Sequence, residues 1–134
     1  MERKNSRLEK KLQKISENIL KAVDFPKTVR KKADIFLLGD QEMKALKKKF
    51  LPREEGPANV LAFPEAKHWP YPEKKALKLG EIYLNLDLAK GDVGELSRLL
   101  IHGVLHLLGY GHTKKNDRIK MEKLEKELIR KLVN

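Results

Sequence analysis

Three of the chain's four histidines fall within eleven residues, HGVLHLLGYGH, from His102 to His112. The spacing is four, then six, with Gly109 three residues before the last. On a helix advancing about 100° per residue, His102 and His106 stand about 40° apart, one turn from each other. Two imidazoles so placed can bind one metal ion. Gly109 is suited to the left-handed conformation that ends a helix, so the chain can double back and bring His112 up as a third nitrogen ligand. Three histidines leave one tetrahedral position open for water, the arrangement of a catalytic rather than a structural zinc site. The sequence has no cysteine, which excludes thiolate ligands and disulfides. Neutral imidazoles then favour zinc, one ion per chain, although nickel, copper or iron could fill the same cage in vitro. The plainer alternative makes His102 and His106 buried polar residues of a helix and His112 a residue of a turn. The spacing, the helix and the glycine together favour the metal.

The same stretch matches the metzincin protease signature, H-E-x-x-H-x-x-G-x-x-H, at all three histidines and at the glycine. The glutamate of that signature is the general base that takes a proton from metal-bound water, and Gly103 stands in its place. Glu95 shares the histidine face but lies seven residues before His102. That is about 10 Å along the axis, too far for direct proton transfer. The motif keeps the Lewis acid and drops the protease base, which argues against a peptidase of the usual mechanism. The missing side chain would also leave room for a bulky group at the metal.

The elements that must position these residues are legible from hydrophobic period. Leu8, Leu12, Ile15, Ile19, Leu20 and Val23 form one stripe of an amphipathic helix that ends near Phe25-Pro26. Ala33 to Leu38 reads as a short buried strand stopped by Gly39. Asp40 is placed to cap a helix carrying Met43, Leu46 and Phe50, which Pro52 ends. Asn59 to Pro64 is a second strand, with the proline suited to a strand end or an edge. A proline-containing, lid-like excursion with His68 and Trp69 follows, and then the period-two strand Gly80 to Leu86. Asp92 and Glu95 resemble a capping box that opens an apolar helix running to Leu108. Val93, Leu96, Leu100, Val104, Leu107 and Leu108 are its expected core face. A last helix spans about Asn116 to Val133, with Met121, Leu124, Leu128 and Leu132 as its stripe. The order helix, strand, helix, strand, strand, helix, helix predicts an α+β fold: a small mixed sheet of about three strands packed by helices, with a zincin-like metal helix. At 134 residues the expectation is a single domain.

Thirty basic residues against 19 acidic ones give a net charge of +11. Such a field attracts polyanions, RNA or DNA most commonly, although a solvated lysine-rich surface accounts for it equally well. Few aromatics are present to stack on bases. No secretory pattern and no apolar run long enough for a membrane span are evident, so a soluble cytoplasmic protein is expected.

HGVLHLLGYGH closely resembles the H-G-x-L-H-L-x-G-Y-D-H signature of the YbeY family, bacterial rRNA maturation factors and metal-dependent endoribonucleases. Asn59 to Pro64, NVLAFP, resembles that family's T-D/N-V-L-S-F-P segment, and Gly80 to Leu84 is similar to its G-D-I-x-I strand. The three stand in the family's order and cover about Ala33 to the C-terminus. The resemblance implies an α+β fold, a zinc held by His102, His106 and His112, and RNA cleavage in 16S rRNA 3′-end processing and ribosome quality control. It therefore implies RNA and the ribosome or its small subunit as partners, with neither DNA nor membrane expected.

Several positions depart from the family pattern. Its Y-D-H is Tyr110-Gly111-His112 here, so a carboxylate beside the third ligand is missing. Ala58 and Ala62 replace a threonine and a serine. The family's arginine before the second strand has no direct counterpart. Arg53, one residue out of register, is the candidate for contacting phosphate, with an ordinary surface arginine as the alternative. The chain opens on a helix where the family carries a strand. No residue is assigned as general base. The leading expectation is a zinc-dependent endoribonuclease, and the alternative is a non-catalytic ribosome- or RNA-binding assembly module with a structural zinc. His68, Trp69, Tyr110 and the run Lys47-Lys48-Lys49 each have a plain loop, packing or solvated-face reading beside a substrate-contacting one.

Overall fold

The computed structural model describes residues 6–23, 30–53, 56, 58–65, 76–109 and 115–132. The expected lid-like excursion with His68 and Trp69, the helix-ending Phe25-Pro26, and Tyr110, Gly111 and His112 lie outside these residues. Seven elements follow in the order the hydrophobic patterns predict: α1 (Ser6–Val23), β1 (Arg30–Leu38), α2 (Asp40–Phe50), β2 (Val60–Pro64), β3 (Ala76–Asn85), α3 (Val93–Leu107) and α4 (Lys115–Leu132). The three strands form one mixed sheet in the order β1-β3-β2, with β1 parallel and β2 antiparallel to β3. The α+β class is as expected.

Strand alternation divides the core in two. Ala33, Ile35 and Leu37 of β1, with Ile82 and Leu84 of β3, are buried together with Leu12, Ile19 and Leu20 of α1, Leu96, Leu100 and Val104 of α3, and Met121 and Leu128 of α4. On the opposite parity, Leu61 joins Met43 of α2 and Ala58, with Phe63 and Tyr83 packed against them. An aromatic chain crosses this second face: Phe36 stacks on Tyr83 with centroids 5.0 Å apart, and Tyr83 meets Phe63 edge-on at 5.8 Å. Beside it, Lys78 bridges Asp34, Glu65 and Glu81 at 3.3 to 4.0 Å. Partial burial lowers the Lys78 pKa, but the Asp34 hydrogen bond and the surrounding carboxylates outweigh it and leave the pKa raised. Burial and the Glu81 carboxylate push the Tyr83 hydroxyl upward as well.

Four local expectations require correction. β3 extends well before Gly80, because Ala76 to Lys78 also pair with β1. The register slips between Lys32 and Ala33, so Leu79 is an extra residue bulged out of the ladder. Gly80 is therefore a bulge glycine rather than a strand start. A Cβ there would stand 2.2 Å from the Phe63 carbonyl oxygen, and φ is +154°. Asp40 does not cap α2. Gly39 is the N-cap residue, and the Asp87 carboxylate accepts the Asp40 amide proton at 2.8 Å. Asp40 itself accepts from Asn85 Nδ2 at 2.9 Å and pairs with Lys44 at 3.1 Å. Asp92 does cap α3, accepting from the Gly94 amide at 2.9 Å, but its own amide donates to Ala89 instead of closing a reciprocal box. Finally, Ile101 and Leu105 of α3 are fully buried, whereas Val93, Leu107 and Leu108 are only partly so. This helix is packed by α1, α4, β2 and β3 at once, which buries far more than one stripe.

β1 is an edge strand whose outer side is closed by side chains rather than by another strand. Gln13 of α1 accepts from the Ile35 amide at 3.2 Å and donates to the Ala33 carbonyl at 2.7 Å. Glu9, one turn earlier, accepts from the Leu37 amide at 2.8 Å. α1 thus occupies the position beside β1 where a further strand would pair. At the other edge, β2 ends on Pro64, which has no amide proton to leave unpaired.

Candidate metal centre

α3 carries His102 and His106 on its open side, next to β2. Their Nε2 atoms are 3.1 Å apart and the ring centroids 4.6 Å apart, with the rings inclined at 72°. Behind the pair, Glu125 of α4 stands 2.9 Å from His102 Nδ1. A carboxylate in that position accepts the Nδ1 proton and leaves the lone pair on Nε2, the nitrogen that faces His106. His102 is half-buried and His106 exposed, so a fixed ligand sits beside one open to solvent.

These residues fit a tetrahedral metal ion. Two ligands at the usual zinc–nitrogen distance, about 2.0–2.1 Å, stand about 3.3 Å from each other. The observed 3.1 Å is within a few tenths of that, with both Nε2 atoms turned inward. The carboxylate–histidine arrangement is the outer-shell support such ligands ordinarily have. His112 lies outside the described residues, and among those residues no group of three potential ligands converges on a point. The expected three-histidine cage is represented by two of its members and by a supporting carboxylate.

The pair opens into a cleft of about 400 Å³ between β2 and α3, lined by Leu51, Val60, Ala62, His102 and His106. A second recess, also about 400 Å³, adjoins it along α3 and is lined by Asn59, Val60, Arg98, His102 and Glu125. Val60 and His102 belong to both, so the two form one trough with the imidazole pair near its middle. Neither Glu95 nor Arg53 lines either part. Arg53 is exposed in the turn after α2, two residues past Leu51.

Gly103 needs a different explanation from the one its sequence position suggests. A Cβ there would stand 3.0 Å from Ile82 Cγ2 and 3.2 Å from Ile82 Cδ1. The direction of its missing side chain is filled by the sheet, not left open for a group at the metal. Glycine at this position lets α3 lie close on β3.

Glu125 and Arg98 are the site residues that sequence reasoning missed. Arg98 had a detectable signal, because it lies four residues before His102 and shares its helical face. Glu125 had a weaker one. It flanks the Met121–Leu124–Leu128 stripe, where a polar residue looks toward whatever the helix covers.

Comparison with known proteins places this chain in a family. A family model described as Endoribonuclease YbeY matches residues 1–133. The chain belongs to the YbeY endoribonuclease family. Among the curated relatives, Endoribonuclease YbeY of a Wolbachia species from Drosophila simulans is 34% identical over 106 residues, covering 73% of this chain and 67% of the relative. That of Parvibaculum lavamentivorans is 36% identical over 113 residues, covering 72% of this chain and 60% of the relative. The match to the Anaeromyxobacter protein, 36% identical, spans 52% of that relative, so this chain accounts for about half to two thirds of their length. The solution structure of TM1509 from Thermotoga maritima superposes with a TM-score of 0.58 at 27% identity, over 98% of this chain and 85% of that one. Among the described residues no helix is long and apolar enough to cross a membrane.

Proposed function

We propose that this YbeY-family chain is a zinc-dependent endoribonuclease acting in rRNA maturation, at the 16S 3′ end, and in ribosome quality control. The reading rests on one observation above all: two imidazole Nε2 atoms 3.1 Å apart, one of them oriented from behind by a carboxylate, at the middle of an open trough. His102, His106 and His112 would hold one zinc ion. When bound, such an ion supplies Lewis-acid stabilisation of phosphoryl charge and lowers the pKa of a hydroxyl at the site. The chain's own contributions are orientation and electrostatics. Glu125 holds the Nδ1 proton of His102 and so keeps its Nε2 in the ligand tautomer. The net charge of +11 draws a polyanion toward the trough, with RNA and the small ribosomal subunit as the partners in the cytoplasm. Arg53 stays at the surface, near enough in sequence to Leu51 for phosphate contact at the trough's rim.

The test is elemental analysis of the untagged protein beside His106→Ala, followed by RNA cleavage with and without chelator. One zinc per chain, lost in the variant, with cleavage that chelation abolishes, is the expected result. Cleavage that survives both chelation and loss of His106 would overturn the reading.

The position of Gly103 favours a second reading. With Ile82 against its Cβ direction, position 103 carries no side chain to act as the general base of a hydrolytic metal site. A non-catalytic RNA- or ribosome-binding module with a structural zinc would show the same metal content and salt-sensitive RNA binding, but no cleavage.

A further inference from the structure

We infer that Arg98 is the phosphate-holding guanidinium of the trough, gripping the RNA backbone one step away from the imidazole pair. The inference rests on the endoribonuclease reading above and concerns the same trough. Arg98 lies on α3 four residues before His102, one turn or about 6 Å along the axis. It lines the recess that shares Val60 and His102 with the histidine cleft. Arg53, the arginine its sequence position nominates, lines neither part. Arg98 is exposed and, among the described residues, forms no ion pair or hydrogen bond. Toward those residues its fork of donors is uncommitted. The one carboxylate lining the recess, Glu125, is engaged by His102 Nδ1 instead. A guanidinium matches phosphate bidentately and is lightly hydrated, so it suits a backbone contact beside the reacting group. Glu125 at the inner wall repels a second anion, which directs the phosphate to the Arg98 end of the recess. Asn59 lines the same recess and adds a side chain able both to donate and to accept.

The test uses the full chain and a short fluorescent single-stranded RNA, with binding read by anisotropy in chelator over a range of salt. Cleavage is then read with zinc restored. Arg98→Ala, Arg98→Lys and Lys21→Ala are compared, Lys21 being an exposed residue of α1 away from the trough. Arg98→Ala should weaken binding about tenfold, the loss of one charge-assisted contact. It should also reduce the slope of log affinity against log salt by about 0.7, one phosphate's share on a single strand. KM should rise with kcat nearly unchanged, as for loss of uniform binding. Arg98→Lys should restore the slope but only part of the affinity, because the charge returns without the fork. If Arg98→Ala binds within twofold of Lys21→Ala and keeps the wild-type slope, Arg98 holds no phosphate and the inference fails alone. If the unmodified chain does not bind RNA at all, both this inference and the endoribonuclease reading fail.

Discussion

At the scale of single residues, the site turns on two side chains that touch His102's helix from opposite sides. Glu125 fixes the tautomer of His102, and ligand partners of this kind are worth about 10–100-fold in metal affinity. Glu125→Ala should therefore lower zinc affinity by about that factor in a competition titration with a chromophoric chelator, while Glu125→Gln, which can still accept the proton, should lose less. Gly103 meets Ile82 instead. Gly103→Ala sets the helix-propensity gain of about 1 kcal/mol against an overpacking cost of about 1–3 kcal/mol, so a net loss of stability is expected. In an Ile82→Ala background the same substitution fills space and should stabilise; denaturant melts of the four proteins in the cycle read the change of sign. The histidines were legible in sequence because helical period alone brings residues four apart together. Glu125 was not, since its partner lies 23 residues away on another helix. Gly103 misled because only the sheet beneath α3 reveals what its missing side chain avoids. Asp40 misled similarly: the sequence shows a capping residue, but Asp87, brought in from after β3, takes the amide. Hydrogen bonds from Asn85 and Lys44 hold the Asp40 carboxyl below its ordinary pKa. A depressed folded-state value stabilises above the ordinary carboxylate pKa of about 3.9 and is lost as pH falls through the folded one. The acid limb of Tm against pH should accordingly be shallower in Asp40→Asn than in the unmodified chain.

At the scale of elements, the number and order of helices and strands followed from hydrophobic period, and the ends did not. β3 begins earlier than its glycine suggests because the bulge at Leu79 restores the alternation on the far side of Gly80. Nothing in the local sequence distinguishes a glycine that ends a strand from one that kinks it. The cap of α3 was legible, since an aspartate before an apolar helix has one evident use. Asp92→Ala should cost about 0.5–2 kcal/mol, measured by urea denaturation. The closure of the β1 edge was invisible, because Glu9 and Gln13 lie on the polar flank of α1 and look like solvent-facing residues. Replacing both with alanine removes the acceptors for the Ile35 and Leu37 amides and exposes a pairing edge. Concentration-dependent self-association of Glu9→Ala/Gln13→Ala, followed by light scattering, is the expected outcome, with the unmodified chain unchanged over the same range.

At the scale of the whole molecule, charge was plain from composition, but its meaning depended on a trough that composition could not reveal. A polyanion approaching a chain of charge +11 is drawn by long-range attraction that salt screens. On the proposed function, the landing place is the trough between β2 and α3, with Arg98 lining one part and His106 the adjoining cleft. The bond between Glu125 and His102 also crosses from the last helix to the one beneath it. α4 otherwise rests on α3 through apolar contacts such as Met121 and Leu128. If His102 holds zinc as proposed, one carboxylate serves both the docking of α4 and the posture of a metal ligand, and the two equilibria are thermodynamically reciprocal. Whatever zinc gains from an ordered α4, α4 gains from zinc. Backbone amides of the last helix should thus exchange with deuterium more slowly once zinc is added, and severing the bond with Glu125→Ala should uncouple the two. The helix α4 then acts as a gauge of whether the site beside it is filled.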